Sequence, residues 1–251
     1  MRGGVNTVVR VGGVVHRPGG PWTPAVQAVL AHVAARGFTG APRPYGLAVN
    51  GAEIVDFIAG DVPDYPVPDY VHSDQTLHDV ATLLRAFHDT TVDFVAPPDA
   101  QWHLPARQPA EVICHSDVAP YNSVFRDGRL VAFIDFDTAH PGPRVWDVAY
   151  AAYRFVPLTG PDNPDGFGTT AEQARRLRLF CDAYGLDESD RAALLPTVVQ
   201  RLLAMVDYMR AQAAAGSAAF AGHIADGHDR LYLADADYVT QWHRSNGSTG
   251  W

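Results

Sequence analysis

One stretch of the 251-residue chain concentrates groups that can do chemistry. It runs Cys114-His115-Ser116-Asp117-Val118-Ala119-Pro120-Tyr121-Asn122, and Ile134-Asp135-Phe136-Asp137 comes shortly after it. An amide oxygen and a carboxylate lying side by side can share one hard cation. Mg2+ suits such a pair, because it takes oxygen ligands and is held by one or two protein groups while phosphates and water complete its shell. A carboxylate close to that cation, but not on it, can orient and deprotonate a hydroxyl. Asn122 and Asp135, with Asp137 as helper, fit the first description, and Asp117 fits the second. Together they are the parts of a phosphoryl transfer site, where positioning and charge neutralisation dominate.

These side chains need a scaffold. Ser123–Arg126 and Arg129–Ile134 read as strands joined by Asp127-Gly128, a strong two-residue turn signal. Pairing Arg126 with Arg129 sets Asn122 opposite Phe133. Asp135 is then the diagonal neighbour of Asn122 on the same face, with Cα atoms roughly 7–8 Å apart.

Upstream, Val8–Val11 and Val14–Arg17 form a hairpin pattern around Gly12-Gly13. Thr23-Pro24 opens a helix with Thr as cap, and Val26, Val29, Leu30 and Val33 mark its apolar face up to Gly37. Strands near Tyr45–Val49 and Glu53–Ile58 flank Asn50-Gly51. Residues 59–70 are rich in Pro, Asp and Gly and read as a linker. Beyond them a helix spans Asp74–His88, with Leu77, Val80, Ala81, Leu84 and Phe87 on one side. Helical patterns then run from Thr169 or Thr170 to Gly185, over Ser189–Ala214 through Pro196, and over Ser217–His243. The class is α+β, with a small β-rich N-lobe (1–58) and a larger, mostly helical C-lobe (59–251).

Composition removes several classes. All 19 basic residues are Arg, so no P-loop or Schiff-base lysine exists. The net charge of -9 disfavours nucleic acid and anionic membranes as partners. Cys114 and Cys181 are too few for a disulfide framework or a cysteine zinc site, and read as buried thiols. No apolar run approaches a membrane span and the N-terminus has no apolar signal core, so a cytoplasmic setting is expected. Oligomeric state is not legible.

His115-Ser116-Asp117 with Asn122 resembles the H-x-D-x-x-x-x-N catalytic loop of protein-kinase-like enzymes. The small residue after His and the Asp135-Phe136-Asp137 segment resemble the aminoglycoside phosphotransferase and choline kinase branch. His140-Pro141-Gly142-Pro143 and Trp146-Asp147-Val148-Ala149 resemble the next segment of that branch, a Gly/Pro turn leading into a helix with a structural Asp. The resemblance implies a two-lobed protein-kinase-like fold, ATP or GTP as donor, Mg2+, and a hydroxyl on a small molecule as acceptor. It implies Asp117 as base, Asn122, Asp135 and Asp137 at the metal, and His115 and Asp147 as structural residues. Asp56-Phe57-Ile58 becomes the hinge facing the base, and Gly3-Gly4 a shortened phosphate-covering loop.

The chain departs from that family in its N-lobe. The strand lysine is replaced at best by Arg17, expected to point across the cleft towards Asp135. The helix after it, Thr23–Arg36, holds no acid, and Gln27 stands in. The expected activity is a kinase, and the acidic charge suits a cationic acceptor such as an aminoglycoside or amino alcohol. The alternatives are a weak or inactive nucleotide-binding module and a metal-dependent hydrolase using Asp117, Asp135 and Asp137. Each residue also has an ordinary reading: Asp117 as a loop cap, Asn122 as a turn residue, Asp135 and Asp137 as solvated strand-end carboxylates. Tyr153, Arg154, Asp207 and Tyr208 are candidates for the acceptor cleft, or else helical core and surface.

Overall fold

The β-branched run at the start does form a hairpin. In the computed structural model, which describes residues 8–246, β1 (Val9–Val11) pairs antiparallel with β2 (Val14–Arg17) across a Gly12 at φ 61°. Helix α1 (Thr23–Ala35) comes next. Thr23 is its first residue rather than its cap: Trp22 holds the cap position, and Thr23 Oγ1 instead accepts from Gly20 N at 2.8 Å. Val26, Val29, Leu30 and Val33 are all buried, as their spacing predicts. Strands β3 (Pro44–Leu47) and β4 (Glu53–Asp56) are shorter than the sequence pattern suggests. The sheet order is β1-β2-β4-β3, which sets Arg17 directly opposite Glu53.

Helix α2 (Asp74–Thr91) is capped by Ser73, whose Oγ accepts from Thr76 N at 3.1 Å. Its five predicted apolar positions have no exposed surface. At roughly 1.5–3 kcal/mol for each fully buried large side chain, this face is a main source of cohesion. β5 (Val112–Cys114), β6 (Ser123–Arg126), β7 (Arg129–Phe133) and β8 (His140–Gly142) form two small antiparallel pairs, β5 with β8 and β6 with β7. α2 packs on α1, β5 and β7, and so ties the N-terminal sheet lobe to the strands that flank residues 115–122.

The helical lobe continues with α3 (Arg144–Phe155), α4 (Thr170–Tyr184), α5 (Glu188–Ala214), α6 (Ala218–Ala225) and α7 (His228–Asn246). Thr169 caps α4 and Gly185, at φ 81°, ends it. The single helix expected over Ser217–His243 is two helices, because Gly227 turns the chain at φ 85°. α5 corrects another expectation. Its length and mean hydropathy of 1.2 meet those of a membrane-crossing helix. Here it packs against α3, α6 and α7, and sends Arg201 inward. Both cysteines are buried and free.

Candidate active site

The loop after β5 is fixed from below. Ser116 takes φ 67°, a left-handed conformation uncommon outside glycine. Two hydrogen bonds hold it there: Asp147, fully buried in the first turn of α3, accepts from His115 N at 2.6 Å and from Ser116 N at 2.8 Å. His88 of α2 donates to the same carboxylate at 3.0 Å. Burial alone would raise the pKa of Asp147, but the bonds from His88 and His115 outweigh it and hold the carboxylate ionised below its ordinary range. From α5, Arg201 donates to the Ser116 carbonyl. The His115 ring donates from Nε2 to Ile134 O at 3.0 Å and accepts at Nδ1 from Asp117 N at 3.2 Å. Both nitrogens are used, and burial keeps the ring neutral by lowering its pKa.

Asp117 emerges half-buried at the end of this loop. Its Oδ1 accepts from Tyr121 Oη at 3.0 Å and its Oδ2 from Asn122 Nδ2 at 2.8 Å. Burial pushes its pKa up to about 6, and the like charge of Asp135 adds to the effect. The carboxylate is thus oriented by two donors and matched to proton transfer near neutral pH. Since the Asn122 nitrogen is committed to Asp117, the amide oxygen is the atom left for a cation.

The hairpin register differs from expectation by one residue. Arg126 pairs with Arg129, but a bulge near Val131 shifts the pairing, so Ser123 rather than Asn122 lies opposite Phe133. Asn122 instead accepts from Ile134 N through its carbonyl at 2.9 Å. A continued strand would carry Asp135 to the wrong face. The strand stops at Phe133, however, and Asp135 turns out of it at φ 64°. Its carboxylate remains near enough to Asp117 to raise that group's pKa.

Across the cleft, Arg17 does extend towards Asp135. Its Nη1 lies 2.5 Å from Asp135 Oδ1, its Nη2 2.8 Å from Asp137 Oδ1, and its Nε 2.5 Å from Glu53 Oε2. Burial works against this guanidinium, yet the three carboxylates outweigh it and raise its pKa. Gln27 does not reach Arg17. It donates to Glu53 Oε1 at 2.7 Å and so braces the partner instead. Burial pushes the Asp137 carboxyl up, with Asp135 and Glu53 adding to it and Arg17 opposing. Sequence reasoning missed Glu53, a buried acid at the head of β4, because the β2–β4 pairing spans a helix and another strand.

Of the expected hinge, Asp56 N donates to Arg43 O and Phe57 N to Gly13 O. Of these three residues, Ile58 is the one with no such backbone bond. Gly3 and Gly4 lie outside the described residues. Tyr153 is core, Asp207 is exposed and Tyr208 bonds His103 at 2.8 Å. Among the described residues no three His, Cys, Asp or Glu side chains form a metal cage. An all-oxygen set of Asn122, Asp135 and Asp137, whose two carboxylates already converge on one guanidinium cation, fits Mg2+ completed by phosphates.

Comparison with known proteins gives the family and the fold. Residues 99–196 match the model of the phosphotransferase enzyme family. The trifolitoxin immunity protein of Rhizobium leguminosarum bv. trifolii is 33% identical over 205 residues, covering 78% of this chain and 77% of that protein. The chain belongs to the phosphotransferase enzyme family. Among solved structures, an amicoumacin kinase in complex with AMP-PNP, Ca2+ and Ami superposes with a TM-score of 0.62 at 14% identity, covering 93% of this chain and 88% of that one. A choline/ethanolamine kinase family protein from Mesorhizobium loti gives 0.59 at 15% identity, with 92% and 89% covered. This family member therefore has the two-lobed, protein-kinase-like fold of small-molecule kinases.

Proposed function

We propose that this phosphotransferase moves the γ-phosphate of ATP or GTP to a hydroxyl of a small molecule, with Asp117 as catalytic base. The observation that carries the reading is the Asp117–Asn122 unit. It is a half-buried carboxylate held by Tyr121 and Asn122, with a pKa raised to about 6, facing Asp135 and a cation from the opposite lobe. In this reading Asp117 Oδ accepts the hydroxyl proton as the oxygen attacks phosphorus. Arg17 neutralises phosphate charge from above. Mg2+ would be held by Asn122 and Asp135, with Asp137 beside them, and when bound would draw charge from the phosphate oxygens. Ile58 offers the backbone edge for the base, and the lobes divide at residues 58 and 59. A relative named for immunity to a toxin fits an acceptor of the antibiotic kind.

A second reading, a weak or inactive nucleotide-binding module, has one observation in its favour. Arg17 is engaged by three carboxylates and must release Asp135 and Asp137 before another cation takes them. Thermal unfolding with ATP or GTP, each with and without Mg2+, tests both readings. A ligand at about 100 times its dissociation constant adds roughly 2.7 kcal/mol. The kinase reading expects a Mg2+-dependent rise that Asp135→Ala abolishes and Asn122→Ala weakens, together with ATP consumption. A rise without turnover on any hydroxyl compound supports the module, and no rise with either nucleotide refutes both.

A further inference from the structure

The acceptor side of the cleft contains a cation that the proposed phosphate chemistry does not use. Arg154, near the end of α3, has a side chain only 8% exposed. Two other buried arginines here are well served. Arg176 donates to the carbonyls of Val156, Phe155 and His72, and Arg17 meets three carboxylates. Arg154 differs from these two: among the described residues its Nε finds no acceptor, a lack Arg201 shares, and its only ion pair is a 3.7 Å approach to Asp165. Its aromatic neighbours are tyrosines. The guanidinium carbon lies 4.7 Å from the Tyr65 ring centre and 5.6 Å from those of Tyr121 and Tyr153. Nearby Asp235 does not neutralise it directly, being bonded to Tyr153, Asn163 and Gly160 N.

Tyr121 sets the location, because its hydroxyl donates to Asp117 Oδ1 while its ring lies against Arg154. One tyrosine therefore separates the proposed base from a permanent, under-paired positive charge. Tyr65 hydrogen-bonds this guanidinium, but a buried Nε without an acceptor is unfavourable, and a planar oxyanion that takes the fork removes the deficit. Phosphates do not need it, because Arg17 faces them from the other lobe.

We infer that Arg154 anchors an acceptor subsite for a carboxylate, so that the preferred substrate is a hydroxyl compound bearing a carboxylate rather than a polycation. The inference rests on the kinase reading above, and it replaces the cationic acceptor suggested by net charge. The reaction stays balanced. The hydroxyl oxygen bonds to the γ-phosphorus, the bond to the bridging oxygen breaks, the nucleoside diphosphate leaves, and the proton passes to Asp117. The substrate carboxylate is unchanged, held at Arg154 while the tyrosine rings cover the carbon chain between the two groups.

The test uses the full chain loaded with AMP-PNP and Mg2+, titrated by calorimetry with γ-hydroxybutyrate, its amide and the matching amino alcohol. The wild type should bind the carboxylate at least about tenfold tighter than either analogue. Arg154→Gln should lose that preference while AMP-PNP affinity stays within about twofold. Arg154→Lys, which keeps the charge but not the fork, should keep the preference at lower affinity and serves if the glutamine variant misfolds. Equal binding of the three probes, no binding of any, a preference for the amine, or a preference that survives Arg154→Gln overturns the subsite. So does a loss of AMP-PNP affinity in Arg154→Gln, which would assign the residue to the nucleotide. If the wild type fails to bind AMP-PNP at all, the kinase reading fails instead.

Discussion

Replacing Asp117 by Asn should make the protein more stable and nearly inactive, and the stability gain should depend on pH. The carboxyl group has an ordinary pKa near 3.8 and is raised to about 6 in the fold, by burial and then by Asp135. A shift of this size corresponds to about 3 kcal/mol at 1.36 kcal/mol per unit, an upper bound for a half-buried group. Asn keeps one acceptor for Tyr121 and Asn122 but gives up a charge-assisted bond, which returns roughly 1–2 kcal/mol. The net expectation is a stabilisation of about 1 kcal/mol at pH 8. The sign comes from linkage. The folded state holds the Asp117 proton more tightly than the unfolded chain, so the wild type loses stability as pH rises from about 4 to about 6. The advantage of Asp117→Asn should therefore be absent near pH 3.5 and complete above about 6.5. Urea titrations across that range measure it. In turnover, Asp117→Asn should lower kcat by about 10²–10⁴, and the wild-type kcat/KM should fall on the acid side of pH 6. Neutralising Asp135 in the loaded complex removes the like-charge part, so the limb in kcat should sit lower. A variant with near wild-type turnover, or a stability difference that ignores pH, would refute the assignment of Asp117 as a buried base.

The same geometry has other consequences. Arg17→Ala leaves the Glu53 charge buried with only the Gln27 amide as partner, and should cost about 3 kcal/mol in a urea melt. Fluorescence titration should show its nucleotide dissociation constant raised by about tenfold or more. Glu53→Gln keeps a partner for Gln27 but frees Arg17, so steady-state kinetics should show KM for the nucleotide rising with a smaller change in kcat. Asp147→Ala strands the His115 and Ser116 amides and the His88 ring, and calorimetry should find it destabilised by about 3–5 kcal/mol at pH 7. Because the Asp147 pKa is lowered in the fold, the gap from wild type should narrow as pH falls below about 4.

Local signals were legible in the sequence, and long-range pairings were not. The apolar faces of α1 and α2, the Thr169 cap and the Gly185 stop of α4 each depend on residues within a few turns of one another. The Asp117–Asn122 contact also lies within one loop, and five-residue spacing was enough to bring the two together. Register failed where a bulge intervened, since nothing in Val131-Ala132-Phe133 marks an extra residue. That Asp135 still faces the site depends on its own left-handed backbone, a property no parity argument contains. Arg201 and Arg154 reach the site from helices whose docking depends on the packed lobe, so their spacing alone reads as core or surface.

The Arg17–Glu53 pair has a consequence for how such a site is kept ready. In protein kinases the phosphate-facing cation on a strand is paired with an acid on the neighbouring helix, so moving the helix makes or breaks the site. Here the acid is on β4, directly across the ladder from Arg17, and both residues belong to one hydrogen-bonded sheet. Helix α1 contributes only Gln27, which also accepts from Gly46 N at 2.8 Å and so is itself tied to β3. Displacing α1 would therefore leave the ion pair intact, because the backbone ladder fixes the separation of the two side chains. The choice of arginine fits this arrangement. Its fork presents Nε to Glu53 and both terminal nitrogens towards Asp135 and Asp137, whereas an ammonium is a single point charge on a flexible stem. The lysine-free lobe thus holds its cation by sheet pairing and guanidinium geometry, with no need for a helix to swing into place.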